Sequence, residues 1–471
     1  MERPGTSSEG SLFELVARGQ KDKYFMSNEK TASTPFSYSM DTWSASLDEV
    51  RDIQPNNMVD FGRSVEWEMN LYGDILIAAS FTITLPSWLP LTISPLCSKT
   101  IIQDASGIQY GYTRGIGAFL FEQIQFYQDT VLLQEFSGDF LYAWNHLQGS
   151  LPNQGLALKE LGDHGGSSFE IQKNAVPGKL ILRLPLIGCA HVNEGGFPLI
   201  SNPGQKFRLR CKLRRLEDLV ESSDSAVKPA PWNRKGFVSI QKGGIRTPFT
   251  ALSRELIEKP LITLQTIQRY IRNPTQTHIC NKKFEIPFLR PYENIISLDP
   301  NDYAPVSGGT PSLITKRIDG RHPSEGILVF FQSDYCLERN QLWNYKNPLN
   351  AGDYFNSLKL LIAGKERETV WSSLIWNQLS PFTKSEIVPK IPISWISFTY
   401  GPSYGYRAPE KRTPSGTVNF STADRPTMWM DLIDTLPSTV TKKKRVYMRC
   451  IVVGWGNYTI ENGRGYIQFM N

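Results

Sequence analysis

The sequence predicts an all-β chain of two β-sandwiches, and three observations predict it. Apolar and polar residues alternate with period two from about residue 60 to the end. Helical periodicity is confined to a few short stretches. A charged, then Pro- and Gly-containing stretch at 216–260 divides the strand-rich sequence into two halves. The 471 residues exceed what one hydrophobic core organises, and 40% apolar with 11% aromatic residues suffices for packed interiors.

The opening stretch SLFELVARGQKDKYF, 11–25, pairs Ser11 with Glu14 as a capping box, and Leu12, Leu15 and Val16 share one helical face. A helix of about two turns is too short to be stable alone, so it is expected to lie against its own domain or a neighbouring chain. In the first half, Val65, Trp67 and Met69 oppose Glu66, Glu68 and Asn70, and Phe81, Ile83 and Leu85 alternate with threonines until Pro86. FLFEQIQFYQDTVLLQEF, 119–136, places two apolar runs around a Gln128-Asp129 turn, as a hairpin requires. SGDFLYAWNHLQG, 137–149, predicts a crossover helix capped by Asp139 and ended by Gly149, with His146 as a surface or cap residue. Strands follow at Leu180–Leu184 and Phe207–Leu213.

The stretch 216–260 predicts a linker or long surface excursion and marks the domain junction. Strand periodicity restarts at Ile262, Leu264 and Thr266. It continues through the unbroken apolar run Ile327–Phe331, then Leu358–Ile362, Ile393 and Trp395, Met428–Leu432 and Val446–Val452, and ends in a hairpin folding about Asn462-Gly463. The expected division is an arm at 1–25, a first sandwich at 26–215, the excursion at 216–260 and a second sandwich at 261–471.

No motif carries chemistry. PSGTVNFS, 414–421, lacks the lysine and following helix of a phosphate loop, and Ser415 lacks the glycines of a nucleophile elbow. Pro414, Ser415 and Gly416 therefore predict a sheet corner. The five histidines, 146, 164, 191, 278 and 322, form no metal-ligand spacing, and GYTRGIG at 111–117 misplaces its glycines for dinucleotide binding. No catalytic, cofactor or metal residue is expected. The cysteines at 97, 189, 211, 280, 336 and 450 are scattered, which predicts reduced core thiols in a cytosolic compartment. The start MERPGTSSEG has no apolar leader core, and no uninterrupted apolar run of membrane-spanning length occurs, so neither secretion by a leader nor membrane spanning is expected.

A net charge of +6 points to no partner class. Two basic features stand out. In KFRLRCKLRR, Lys206, Arg208, Arg210, Lys212 and Arg214 alternate with apolar residues and give one strand a basic face. Pairing with acidic neighbours such as Glu66 and Glu68, or with another subunit, is favoured over nucleic acid, because no aromatics are interleaved for base stacking. TKKKR at 441–445 is a solvated turn or, less simply, a nuclear import signal or a contact for an anionic surface.

Four blocks in order, the arm SLFELVARGQKDKYF, then FGRSVEWEMNLYGDIL with FTITLP, then IGAFLFEQIQFYQDTVLLQEFSGDFLYAWNHL, then PSGTVNFS, resemble the major capsid proteins of the nucleocytoplasmic large DNA viruses. The resemblance covers both halves. It implies a double jelly roll, two tandem eight-stranded sandwiches with few short helices, assembled as homotrimers whose six sandwiches form a pseudo-hexagonal capsomer of an icosahedral shell. It implies as partners neighbouring capsomers, minor capsid and penton proteins and, through minor proteins, an inner viral membrane. Sequence-specific nucleic acid is not among them. Leu12, Phe13, Leu15 and Val16 become the assembly-arm candidates, and the implied location is the virion capsid, assembled in the host cytoplasm. The stretches around 86–115 and 216–255 follow no family pattern. Two competing readings are a carbohydrate-binding sandwich of viral-spike or lectin type, presenting Trp232, Tyr404 and Tyr406, and a metal-dependent jelly-roll enzyme.

Overall fold

The computed structural model describes residues 45–69, 72–86, 102–104, 109–147, 158–163, 178–189, 195–222, 238–242, 245–249, 259–299, 313–347, 352–367, 369–385, 388–399, 416–422, 426–433 and 445–468. Among them, strands numbered in chain order form five antiparallel sheets within the unit Ser46–Asn471.

Two of these sheets enclose the first core. One runs β1 (Ser46–Ile53), β14 (Leu261–Ile271), β3 (Ile75–Thr84), β8 (Leu180–Arg183), with β9 (Phe197–Pro198) also on β3. The other runs β2 (Ser64–Met69), β10 (Phe207–Leu213), β6 (Phe121–Gln128), β7 (Val131–Ser137). Their facing residues, Phe81 and Ile83 from one and Trp67, Phe126 and Leu209 from the other, belong to one buried cluster. The alternation in the sequence is the cause, since every second residue of a strand must turn to the same side.

The second half repeats the plan. One sheet runs β15 (Phe284–Leu298), β24 (Val446–Glu461), β17 (Pro323–Ser333), β21 (Ser394–Ser397), with β22 (Val418–Asn419) on β17 and β25 (Arg464–Gln468) on β24. Its partner runs β16 (Leu313–Arg317), β23 (Thr427–Leu432), β18 (Phe355–Ile362), β19 (Lys365–Glu366), with β20 (Trp371–Ser372) on β18. The β24–β25 hairpin turns at Asn462 and Gly463, both in the left-handed region (φ 53° and 74°), as a two-residue turn of this hand demands. In each half a late long strand, β14 or β24, lies between the first and the third strands of that half, and the second pairs with another late strand, β10 or β23. That wrap is the jelly roll.

Two expectations change here. The sequence pattern makes β14 the opening of the second half, but β14 pairs with β1 (Val50 opposite Ile267) and with β3 (Leu264 opposite Phe81), and so closes the first sandwich. A jelly roll brings its last strand home beside its first, so a long excursion inside one domain looks in sequence like a junction between two. The stretch 216–260 is also more than a linker. It holds β11 (Val220–Ser222), β12 (Val238–Lys242) and β13 (Ile245–Phe249), which join β4 (Ile102–Asp104) and β5 (Gln109–Tyr112) in the order β11-β5-β4-β12-β13. The two stretches without a family pattern therefore pair with each other.

Candidate functional site

The feature that organises the molecule is the seam between the two sandwiches. Successive residues of β17 and β24 point to opposite faces of their sheet, and both faces are buried. Ile327, Val329, Phe331, Met448, Cys450 and Val452 enter the core of the second sandwich. Leu328, Phe330, Ile451 and Val453, with Trp395 of β21, enter the cluster that holds the first. A strand covered on both sides must be apolar throughout, which is why Ile327–Phe331 reads as an unbroken run.

The helix Gly138–Leu147 fills the seam. Nearly all of it is buried, which follows from the apolar residues FLYAW occupying successive positions and not one stripe. The Trp144 ring meets Trp395 edge-on at 5.9 Å, and Tyr142 meets Tyr345 at 6.2 Å. The expected cap is corrected: Ser137 Oγ accepts the Phe140 N–H at 3.1 Å, while Asp139 turns into the seam. His146 is likewise buried, at 1% exposure, and is not a surface residue. A helix pinned between two domains leaves Asp139 and His146 no route to solvent.

The buried charges there are matched. Asp139 Oδ2 lies 2.5 Å from Arg214 and 3.3 Å from Arg449, and Arg449 also reaches Glu293 at 2.6 Å and donates to Gln332 at 2.9 Å. Burial opposes the charge on Asp139, but Arg449 and Arg214 outweigh it and hold its carboxyl below the usual value. Asp163 receives the Arg114 guanidinium and the Tyr142 hydroxyl (2.7 Å), with His146 Nε2 at 3.7 Å. Burial holds the His146 imidazole below its ordinary pKa although Asp163 pulls the other way. Glu221, on β11, accepts the Trp343 indole N–H at 3.0 Å, and burial pushes its pKa up to about 8. Gln128 accepts from the Tyr458 hydroxyl at 2.9 Å and donates to the Gly465 carbonyl at 2.8 Å; Gln134 donates to the Leu289 carbonyl at 3.0 Å. Each of these last three bonds ties a residue of one half to a residue of the other.

The basic strand face is a ladder of ion pairs. Lys206 meets Glu68 at 3.2 Å, Arg208 meets Glu66 at 3.2 Å and Lys212 meets Glu122 at 2.8 Å, while Arg210 stays exposed. Arg214 leaves this face. The pairing register with β6 shifts between Lys212 and Leu213, the strand ends, and Arg214 turns inward to Asp139. The cleft of about 510 Å³ at this edge of the seam is lined by both partners of those pairs, Lys212 with Glu122 and Arg449 with Glu293 among them, so its charges neutralise one another.

Of the other expected residues, Leu12, Phe13, Leu15, Val16, Pro414, Ser415, Trp232, Tyr404, Tyr406 and 441–444 lie outside the described residues. Gly416 stands two residues before β22, whose Val418 and Asn419 pair with Ser324 and Pro323. Arg445 reaches Asp299 at 3.4 Å. Among the described residues, no group of three or more His, Cys, Asp or Glu could hold a metal ion, and no helix is long and apolar enough to cross a membrane.

No protein-family model matches the chain, nor does any curated protein sequence. Solved structures do. The chain is similar to VP54 of PBCV-1, with a TM-score of 0.66 at 14% identity over 93% of this chain and 100% of that one. A chain of the PBCV-1 virus capsid gives 0.65 at 14% identity over 93% and 100%. The Faustovirus major capsid protein gives 0.61 at 10% identity over 92% and 94%. At such identities the likeness is one of fold, and the fold is the double jelly roll of viral capsid chains.

Proposed function

We propose that the chain is a structural major capsid protein that trimerises into pseudo-hexagonal capsomers tiling an icosahedral shell. The observation that carries this reading is the seam: a shared core and buried ion pairs make two jelly rolls one stiff body, and their architecture is that of capsid chains. Stiffness is what a shell tile needs, because lateral contacts that are weak singly become strong when one capsomer meets several neighbours at once. On this reading no step requires a proton transfer, a metal or a cofactor. The arm candidates Leu12, Phe13, Leu15 and Val16 would dock to minor capsid proteins or neighbouring capsomers, penton proteins would close the vertices, and any inner membrane would be reached through minor proteins. The virion capsid, assembled in the host cytoplasm, is the corresponding location.

Sedimentation of the purified chain at micromolar concentration tests the proposal. A threefold multiple of the chain mass is expected. A well-folded monomer, or saturable binding of a glycan by that monomer, would refute it in favour of a carbohydrate-binding sandwich.

A further inference from the structure

Two helices occupy the same place in the two sandwiches, and only one of them is covered. In the first half Gly138–Leu147 joins β7, at the edge of one sheet, to β8, at the edge of the other. In the second half the connection from β20 to β21 does the same, as a turn of π-helix, Ile375–Leu379, that runs into the α-helix Ser380–Ser385. The first helix is buried in the seam, where Trp144 meets Trp395 on the side of β21 turned away from the second core. The second helix leaves Leu374, Leu379 and Phe382 each more than half exposed.

The π turn is what gathers them. Residues five apart on an α-helix point about 140° away from each other, whereas the π turn, closed by the Ser380 N–H on the Ile375 carbonyl, brings Leu374 and Leu379 to one side. Phe382, three residues further on, falls beside Leu379. The same turn lets two successive residues, Trp376 and Asn377, both point inward. The Trp376 indole N–H donates to the Leu358 carbonyl at 2.8 Å, and Asn377 donates to Asp353 at 2.6 Å and accepts from the Ser394 hydroxyl. Ser380 Oγ donates to the Trp395 carbonyl at 2.6 Å, so the apolar stripe is fixed in place facing outward. From Thr369 to Thr383 the sequence carries no charged residue, which is the composition of an interface centre and not of a solvated helix.

The other uncovered face lies on the first sandwich. Its sheet β1-β14-β3-β8 corresponds to β15-β24-β17-β21 in the second, yet on its outward side Val50 and Leu261 are each more than half exposed, and Ile267, Ala78 and Ile181 partly so. Val50 stands opposite Ile267, and Ile267 opposite Ala78, which makes an apolar row across three strands. The polar residues beside the row are already engaged: Arg269 donates to Asp48 at 2.6 Å and Gln265 to Asp52 at 3.1 Å. An apolar centre with a satisfied polar rim is the anatomy of a protein-binding face.

Within one chain the helix of the first half covers the sheet of the second, which leaves the helix of the second half and the sheet of the first. We propose that these two cover each other between copies: Leu374, Leu379 and Phe382 dock on the outward face of β1, β14 and β3 of a second copy of this chain. Such a contact is head-to-tail, uses each face once, and closes when the copies form a ring. It rests on the trimeric reading and names the surfaces that reading leaves open.

Sedimentation of the full-length chain at micromolar concentration, with circular dichroism to verify folding, probes the two faces separately. The variant carrying Leu379→Asp and Phe382→Asp, and the variant carrying Val50→Asp and Leu261→Asp, should each weaken association roughly a hundredfold or more, since desolvated anchors become charges, and sediment as folded single chains. Should either fail to fold, hydroxyl-radical footprinting of the wild-type trimer reads the same faces, and Phe382 and Leu261 are expected to be protected as core residues are. A monomeric wild-type chain overturns the trimeric reading and the docking with it. Trimers that persist in either folded variant, or rapid oxidation of Phe382 or Leu261 in the wild-type trimer, overturn the docking alone.

Discussion

Two sheets of this chain have the same kind of long antiparallel strands and opposite sequence patterns. In β10 every second residue is charged, and the charges meet Glu66, Glu68 and Glu122 at the surface. In the stretches Ile327–Phe331 of β17 and Cys450–Val453 of β24 the charges vanish, and every position is apolar. The difference is the number of faces covered. The sheet of β10 covers one core, whereas that of β17 and β24 divides two cores and holds the domains together. What alternates along a strand therefore reports what lies on each side of it.

The contrast can be broken most severely at Trp395, which is buried and abuts Trp144. Trp395→Ala should cost about 3–5 kcal/mol in denaturant unfolding, where Arg210→Ala on the exposed face of β10 should change little. Asp139→Ala ranks next, because it takes from Arg214 its acid and leaves Arg449 with Glu293 alone; a loss of about 3 kcal/mol is expected. Since the folded chain holds the Asp139 carboxyl below its usual pKa, its contribution is present at neutral pH and is lost as the pH falls through the carboxylate range.

Glu221 has the opposite sign. Its pKa rises from 4.5 to about 8, so across that window the folded chain keeps a proton that the unfolded chain releases, and stability falls as pH rises. Glu221→Gln should flatten the decline, seen as a smaller drop in melting temperature between pH 5 and 8. The smallest effect belongs to the exposed ladder. Lys206→Ala should cost between ~0 and 1 kcal/mol and less in high salt, and a larger loss would mean that the outer face of β10 carries weight the contrast denies it.

Much of the fold is legible in the amino-acid sequence. Alternation places the strands, Asn462-Gly463 places the last hairpin, and the acidic partners of Lys206 and Arg208 are readable from the opposed pattern at Glu66 and Glu68. What escapes is long-range. Nothing local in LITLQTIQRYI says that β14 returns about 200 residues to lie beside β1 and β3, because strand pairing is a property of the wrap and not of the segment. Asp139 resembles a cap because its position beside the helix start satisfies the local rule, and the arrival of Arg214 and, from the other half, of Arg449 explains why it points elsewhere. The seam itself has one visible signal, the unbroken run at Ile327, which periodicity alone does not separate from an ordinary core strand.

Electron microscopy of the purified chain at micromolar concentration examines the central claim most directly. Particles with threefold symmetry and a pseudo-hexagonal outline built from six upright sandwiches are predicted. Single chains whose two sandwiches take up variable relative orientations would contradict it.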